Sequence, residues 1–159
     1  MTQINTPSAK EILRSLRIIH LAMMVGIIIF FLVSFVLVQT VGPFGKLEKL
    51  AGQTVFIGFL VMAALLVVLS YSLHNRKCQS VANLSLSEKL QVYRNSMILK
   101  FAMLEGSVFL GISTYLLVGI TSVIAATAMI LLLLLLNRPA VNHIADELRL
   151  NPDELSELE

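Results

Sequence analysis

The sequence predicts an all-α, polytopic membrane protein with four transmembrane helices arranged as two hairpins and a short cytoplasmic helical tail. Of its 159 residues, 57 % are hydrophobic and 14 % are charged, whereas a soluble domain carries about 25 % charged residues. The hydrophobic residues also cluster into blocks close to the roughly 20 residues that cross about 30 Å of hydrocarbon. These blocks are Ile18–Val41, Thr54–Leu73, Ile98–Val118 and Gly119–Leu136.

A short polar break separates the third block from the fourth. Gly119–Ile120–Thr121–Ser122 interrupts an apolar stretch that would be about twice the bilayer thickness if it formed one helix. We therefore expect a tight hairpin at this break. Gly42–Pro43–Phe44–Gly45 marks the matching turn after the first block.

The distribution of lysine and arginine predicts the orientation of the helices. Loops rich in these residues stay on the cytoplasmic side of a membrane. The N-terminal segment, the central loop and the segment after the last block are basic, whereas the second hairpin turn contains no lysine or arginine. Both termini and the central loop are therefore expected to be cytoplasmic. The basic residues on that side are Lys10, Arg14, Arg17, Arg76, Lys77, Lys89, Arg94, Arg138 and Arg149.

Three segments follow from this pattern: residues 1–17 as a cytoplasmic lead-in, 18–136 as the transmembrane domain and 137–159 as an acidic cytoplasmic tail. Ser85 and Glu88 have the spacing of a capping box, so a helix is expected to begin there and to continue into the third span. The tail contains an amphipathic stretch at Ala140–Leu150. The acidic side chains of the tail form either a solvated helix face or a docking element. The docking element would bind a basic partner or the protein's own basic central loop.

Glu105 points most directly at a site, because it lies within the apolar stretch Met97–Gly119. A charged side chain in hydrocarbon costs roughly 3 kcal/mol or more. Three roles stay open for it: a structural carboxyl at a helix contact, a proton- or cation-linked functional carboxyl, and a polar contact to another subunit. His20, in the same half of the membrane, is the expected partner within the chain. The alternative for His20 is an interfacial histidine with a hydrated ring.

Small residues line two faces of the third span and predict helix packing on more than one side. One face also contains Glu105 at the helical period, and it includes a small-xxx-small pair of the kind that lets helices approach closely. A compact bundle uses one face, which leaves the other for a partner or a second copy. The two faces are Ala102, Gly106 and Ser113, and, on the opposite side, Ser107 and Gly111.

The motifs that usually identify an enzyme are missing from the sequence. It has no phosphate-binding loop, no nucleophile elbow, no H-E-x-x-H and no paired carboxylates. Cys78 is the only cysteine, and one thiol is not a metal site. His74 and His143 lack a second ligand at a usable spacing. We therefore expect no enzymatic activity, no metal, no cofactor and no nucleic-acid partner, and we expect membrane lipids and other membrane subunits as partners.

The stretch Leu104–Ile112 reads LEGSVFLGI and resembles the ion-binding helix of rotary ATPase proteolipids. In that family a glutamate is followed by a small residue, with glycine six places on, as at Glu105 and Gly111. The resemblance implies ion binding at Glu105. The chain departs from that family in its first helix, which has only Gly26, and in placing the glutamate in the first helix of a hairpin rather than the second.

Over most of its length the chain also resembles small uncharacterised four-span bacterial inner-membrane proteins. The pattern is LRIIH…G, then YR…LEG…F, then NRP…I…DEL.L…EL, and it implies a topology but no activity. The leading functional hypothesis is a non-enzymatic inner-membrane protein that serves as an accessory or scaffolding subunit of a larger complex. The alternative is a proton- or cation-coupled small transporter or channel that uses Glu105 as a homo-oligomer.

Overall fold

The computed structural model describes residues 9–45, 47–81, 84–139, 141–148, 150–152 and 154. The elements within these ranges are helices, and no strand occurs among them, which confirms the predicted all-α class. In chain order they are α1 (Ala9–Val41), α2 (Lys49–Gln79), α3 (Leu86–Val118), α4 (Thr121–Leu136) and α5 (Val141–Leu148).

Three of these helices, α1, α2 and α3, are long and apolar enough to cross a membrane. This is the expected character of a membrane protein. The fourth helix is apolar but has 16 residues, which at 1.5 Å per residue gives about 24 Å, less than the roughly 30 Å hydrocarbon core. The membrane class is therefore supported, and a fourth complete span stays a prediction.

The helices extend beyond the predicted apolar blocks. Residues 9–17 of the expected lead-in and the first block form one continuous helix, because no residue from Ala9 to Val41 interrupts α1, while residues 1–8 lie outside the described part of the chain. At its other end α2 continues past Leu73 to Gln79, where the Ser80 N–H bonds to the carbonyls of Arg76 and Lys77.

The start of α3 is the predicted capping box. The backbone N–H of Ser85 donates to Glu88 Oε2 at 3.0 Å, and the Ser85 side chain accepts from the backbone of Glu88. These bonds satisfy amide groups that have no partner within the first helical turn. The capping-box prediction is confirmed.

The break between α3 and α4 is also confirmed. Gly119 ends α3 in the left-handed region with φ +67°, and its N–H bonds to the Tyr115 carbonyl at 2.8 Å. The turn after α1 packs on this break, since the N–H of Phe44 bonds to Leu116 O at 2.9 Å and that of Gly45 to Leu117 O at 3.0 Å. A side chain at Gly119 would be strained by its φ and would lie 3.1 Å from Pro43.

The helices pack around α3, which contacts α1, α2 and α4, while α5 contacts α2 and α3. Both α1 and α2 keep many exposed apolar side chains, as lipid-facing helices do. The C-terminal ends of α2 and α4 lie beside α5 at one end of the molecule, which we call the α5 end. The core along α3 includes Tyr93, Phe101, Leu104, Val108 and Ile112.

Candidate functional site

Glu105 lies on an open face of α3. Its side chain is half-buried, and it forms no hydrogen bond or ion pair with any residue that the structure describes. Ala102 and Ser113 on this face are exposed, and a methyl group placed on Gly106 would meet no atom of the described chain within 4 Å. We call the surface formed by Ala102, Glu105, Gly106 and Ser113 the Glu105 face.

α1 borders the Glu105 face without covering it. The rings of Phe30 and Phe109 lie 5.3 Å apart, about one turn beyond Glu105. The helix contact that the sequence predicted through Ala102 and Gly106 is therefore not made by a neighbouring helix at Gly106 in the described chain. The face stays available to a group from outside this chain.

His20 and Glu105 are not partners in the structure. The buried His20 ring lies 2.9 Å from the carbonyl of Leu134, with Nε2–H as the donor, and its centroid is 4.9 Å from that of Phe101. His20 thus connects α1 to the end of α4. The hydrogen bond to a carbonyl replaces the expected bond to the carboxyl.

The opposite face of α3 is closely packed. Ser107 is fully buried, and its hydroxyl donates to the Met103 carbonyl at 2.9 Å. A Cβ on Gly111 would lie 3.0 Å from Phe59 of α2 and would clash with Thr127 of α4. The absence of a side chain at Gly111 therefore lets three helices meet at this point.

A second group of polar side chains assembles at the α5 end. His74 and Cys78 are four residues apart in α2 and so lie on one face of that helix. α5 is amphipathic, and it presents Glu147 from the same side as the buried Ile144 and Leu148. The carboxylate of Glu147 lies 3.0 Å from Nε2 of His74.

The hydrogen-bond donors and acceptors around His74 can be assigned. The Ser96 hydroxyl donates to the Tyr93 carbonyl at 2.8 Å, so its oxygen accepts from His74 Nδ1–H at 3.0 Å. Nε2 then faces the Glu147 carboxylate, which accepts. Burial alone would raise the pKa of Glu147, but the hydrogen bond from His74 and the positive charges of His74 and Lys100 outweigh it and lower this pKa.

The Cys78 thiol lies beside the His74 ring. Its sulfur is 3.7 Å from Nε2 and 4.0 Å from Nδ1. A catalytic triad requires the acid on the ring nitrogen opposite the nucleophile, whereas here Nδ1 bonds to Ser96 and the sulfur is slightly nearer to Nε2, the nitrogen that faces Glu147. The arrangement is therefore that of a ligand set rather than a nucleophile with its base: the donor atoms of the three side chains all lie within 4.8 Å of one another.

Further polar contacts surround this cluster. The Lys100 ammonium is buried, 4.2 Å from the centroid of the Tyr71 ring, and the Tyr71 hydroxyl accepts from Asn137 Nδ2 at 2.6 Å. The Tyr93 hydroxyl is buried beside the Glu147 carboxylate, outside standard hydrogen-bond geometry but close enough to help lower the pKa of Glu147. A small adjustment, or a bridging water, would complete a hydrogen bond from this hydroxyl.

The cluster could not be predicted from the expected span, whose end lay near His74. α2 instead continues to Gln79 and brings Cys78 one turn below the ring. Glu147 lies 73 residues further along the chain, and only the docking of α5 brings it into reach. A usable signal was present, since His-x-x-x-Cys within a helix is a ligand spacing and Glu147 is one turn from Ile144.

Comparison with models of protein families, with curated proteins and with solved structures finds no match for this chain. The resemblances to rotary ATPase proteolipids and to four-span bacterial proteins thus stay predictions.

Proposed function

We propose that this chain is a non-enzymatic subunit with an accessory or scaffolding role in a larger complex of a bacterial inner membrane. α4 completes four spans, and both termini lie in the cytoplasm with the α5 end. One observation carries the proposal: Glu105, within a membrane-spanning helix, has no partner in the described chain and lies on an open face of small residues.

The physical argument concerns the cost of an unsatisfied polar group in hydrocarbon. An uncompensated buried polar group costs at least about 1–3 kcal/mol, and a charged one costs more. Because no described side chain compensates Glu105, a donor from another membrane protein supplies the missing bond. Ala102 and Gly106 leave the space for a second helix to approach the carboxyl.

The orientation is supported by where the helices end. Five basic residues lie at the α5 end: Arg76 and Lys77 in the last turns of α2, Lys89 and Arg94 in the first turns of α3, and Arg138 just after α4. Basic residues near span ends favour the cytoplasmic side. α5 and the acidic tail are then available to other cytoplasmic groups.

The test is purification from native membranes in a mild detergent, followed by mass spectrometry and a mass measurement of the intact particle. We expect a stoichiometric companion protein with the natural chain and with Glu105→Gln, which keeps a hydrogen-bonding group. Glu105→Leu is expected to lose the companion. Thr54→Leu is the matched control, because Thr54 is an exposed polar residue of α2 that bonds only to its own helix, at Leu50 O.

The transporter hypothesis predicts a different outcome from the same preparations. A particle that contains only copies of this chain would contradict the subunit proposal. If Glu105→Gln also abolished ion-dependent flux in liposomes, Glu105 would be a proton- or cation-linked carboxyl, as in a homo-oligomeric carrier. Unchanged flux in that variant would exclude the carrier.

A further inference from the structure

We infer that His74, Cys78 and Glu147 form a binding site for a zinc ion at the α5 end. The inference is independent of the Glu105 face and of any partner protein. It rests on the convergence of an imidazole nitrogen, a thiol and a carboxylate from two helices. Nitrogen, sulfur and oxygen ligands of these types are the ones that Zn²⁺ prefers in proteins.

The three donor atoms are close enough to share one tetrahedral ion after a side-chain adjustment. Zinc–ligand bonds of about 2.0–2.3 Å imply ligand atoms roughly 3.3–3.6 Å apart. Oε2 of Glu147 is 3.0 Å from His74 Nε2, so the carboxylate moves outward by a few tenths of an ångström. The sulfur of Cys78 is 3.7 Å from Nε2 and 4.0 Å from Nδ1, so it lies beside the ring and must rotate toward the open side of Nε2. The ion replaces the proton that Nε2 shares with the carboxylate.

Ser96 prepares His74 for this role. Its oxygen accepts Nδ1–H of the ring while its own proton is directed to the Tyr93 carbonyl. This pair of bonds keeps the Nδ1 proton in place, so Nε2 is the nitrogen that binds a metal once the proton it shares with Glu147 is released, in the way that outer-shell groups orient metal-binding histidines. The ring cannot rotate away, since it is fully buried against Tyr93 with a centroid distance of 5.5 Å.

The charges of the site also favour a divalent cation. Glu147 supplies one negative charge, and Cys78 supplies a second when the metal displaces the proton of its thiol. One Zn²⁺ neutralises both. The Lys100 ammonium, which lies over the Tyr71 ring, acts on both groups through space and offsets the charge of Glu147 in the metal-free protein.

Space for a fourth ligand lies next to Glu147. Three protein ligands leave one position of a tetrahedral ion open. A cavity of about 30 Å³ borders Glu147 and is lined also by Tyr93, His143 and Arg138, and this volume is enough for about one water molecule. The buried Tyr93 hydroxyl, which has no standard hydrogen-bond partner in the described chain, is in place to bond to such a water.

The first experiment is a zinc titration of the full chain in detergent, with a reducing agent and with a purification tag that contains no histidine. We expect one Zn²⁺ per chain, measured by competition with a chelating dye. Substitution of Co²⁺ is expected to give the charge-transfer absorption of a cobalt–thiolate bond. Absence of stoichiometric binding, or a cobalt spectrum without a thiolate band, would overturn the inference.

Matched variants identify the ligands. Cys78→Ser, His74→Ala and Glu147→Gln are each expected to weaken binding at least about tenfold, and Ser96→Ala by about 10–100-fold. Two controls are expected to bind like the natural chain: Glu154→Gln, the other acid that anchors the tail, and Ser70→Ala, whose hydroxyl bonds to a carbonyl of its own helix as that of Ser96 does.

The zinc affinities of the variants can be compared only if the variants remain folded. Circular dichroism of the helices and size-exclusion chromatography check this. Equal affinity in the natural chain and in Cys78→Ser and His74→Ala would contradict the assignment. The cobalt spectrum needs no variant, so a folding defect in any of them leaves the inference testable.

Discussion

Polar side chains at the α5 end have partners within the chain, whereas the carboxyl on the Glu105 face of α3 has none among the described residues. At the α5 end, His74 has a partner on each ring nitrogen, Lys89 pairs with Glu154 at 2.7 Å and Lys100 lies over Tyr71. On the Glu105 face, the carboxyl has no partner among the described residues and its neighbours are exposed. These three side chains of the first region are paired within the chain, and the carboxyl of the second is not.

This difference separates polar groups that hold the chain together from those that can connect it to something else. A satisfied buried network rigidifies the elements that contribute to it, which here are α2, α3 and α5. An unsatisfied group in an apolar surrounding is costly until a partner arrives. Under the proposed function Glu105 makes an intermolecular contact, whereas the His74 cluster makes an intramolecular one that, by the zinc inference, an ion can strengthen.

The largest expected effect comes from a pair of glycines in α3. Gly111→Val places two methyl groups against Phe59 and Thr127, and we expect it to destabilise the helix packing by about 1–3 kcal/mol or more. Gly106→Val enters open space and should leave the stability of the isolated chain within about 0.5 kcal/mol. Thermal unfolding in detergent, followed by circular dichroism, measures both.

The comparison is well matched because both changes replace glycine by valine within the same helix, five positions apart. Helix propensity therefore nearly cancels. Gly106→Val should nevertheless displace the companion protein in the pull-down, since it fills the space next to Glu105. Equal losses of stability in the two variants would mean that the Glu105 face is packed within the chain.

Sequence patterns predicted the parts of the fold that depend on local physics. The Ser85–Glu88 box, the break at Gly119 and the amphipathic tail helix follow from capping, φ preference and periodicity, and all three occur. Polar contacts between distant segments could not be predicted in this way. The bond of His20 to Leu134 O spans 114 positions of the chain, and no local pattern distinguishes that carbonyl from its neighbours.

The outcome at Glu105 shows the same limit. Periodicity placed it correctly on a face with Ala102 and Gly106, because that depends only on helix geometry. The shapes of α2 and α4 determine which of the two small-residue faces of α3 they cover. Phe59 and Thr127 fit against Gly111, and the opposite face stayed open.

A smaller effect is expected when His74 is removed. His74→Ala leaves the Glu147 carboxylate without its hydrogen-bond donor, which costs about 1–3 kcal/mol for a buried group. We expect the lower part of this range, because the Glu147 side chain keeps 30 % of its surface exposed. Amide hydrogen exchange in α5 should therefore accelerate in the metal-free protein.

The matched control for this variant is His143→Ala, which removes an exposed histidine of α5 itself. It should leave the exchange of α5 nearly unchanged. Combining His74→Ala with Glu147→Gln should cost less than the sum of the single changes, since both remove the same bond. Strict additivity would show that the two side chains do not interact in solution.

The smallest effect concerns the last contact of the tail, between Lys89 and Glu154. The hydrogen bond from the Lys89 ammonium, followed by that from the Asn151 N–H, lowers the pKa of Glu154 below its ordinary value of 4.5. A carboxyl whose pKa is lower in the folded state contributes stability above its unfolded pKa and loses it as the pH falls through the folded value. The contact should therefore be present from neutral pH down to about 4.5 and weaken below it. Amide exchange at Asn151, corrected for its intrinsic pH dependence, reports this change.

In Lys89→Met the midpoint of the pH transition should move up toward pH 4.5. Lys77→Met, which changes an exposed lysine at the same end, should not move it. If the pH of the transition were the same in Lys89→Met as in the natural chain, the tail would be held by α5 alone.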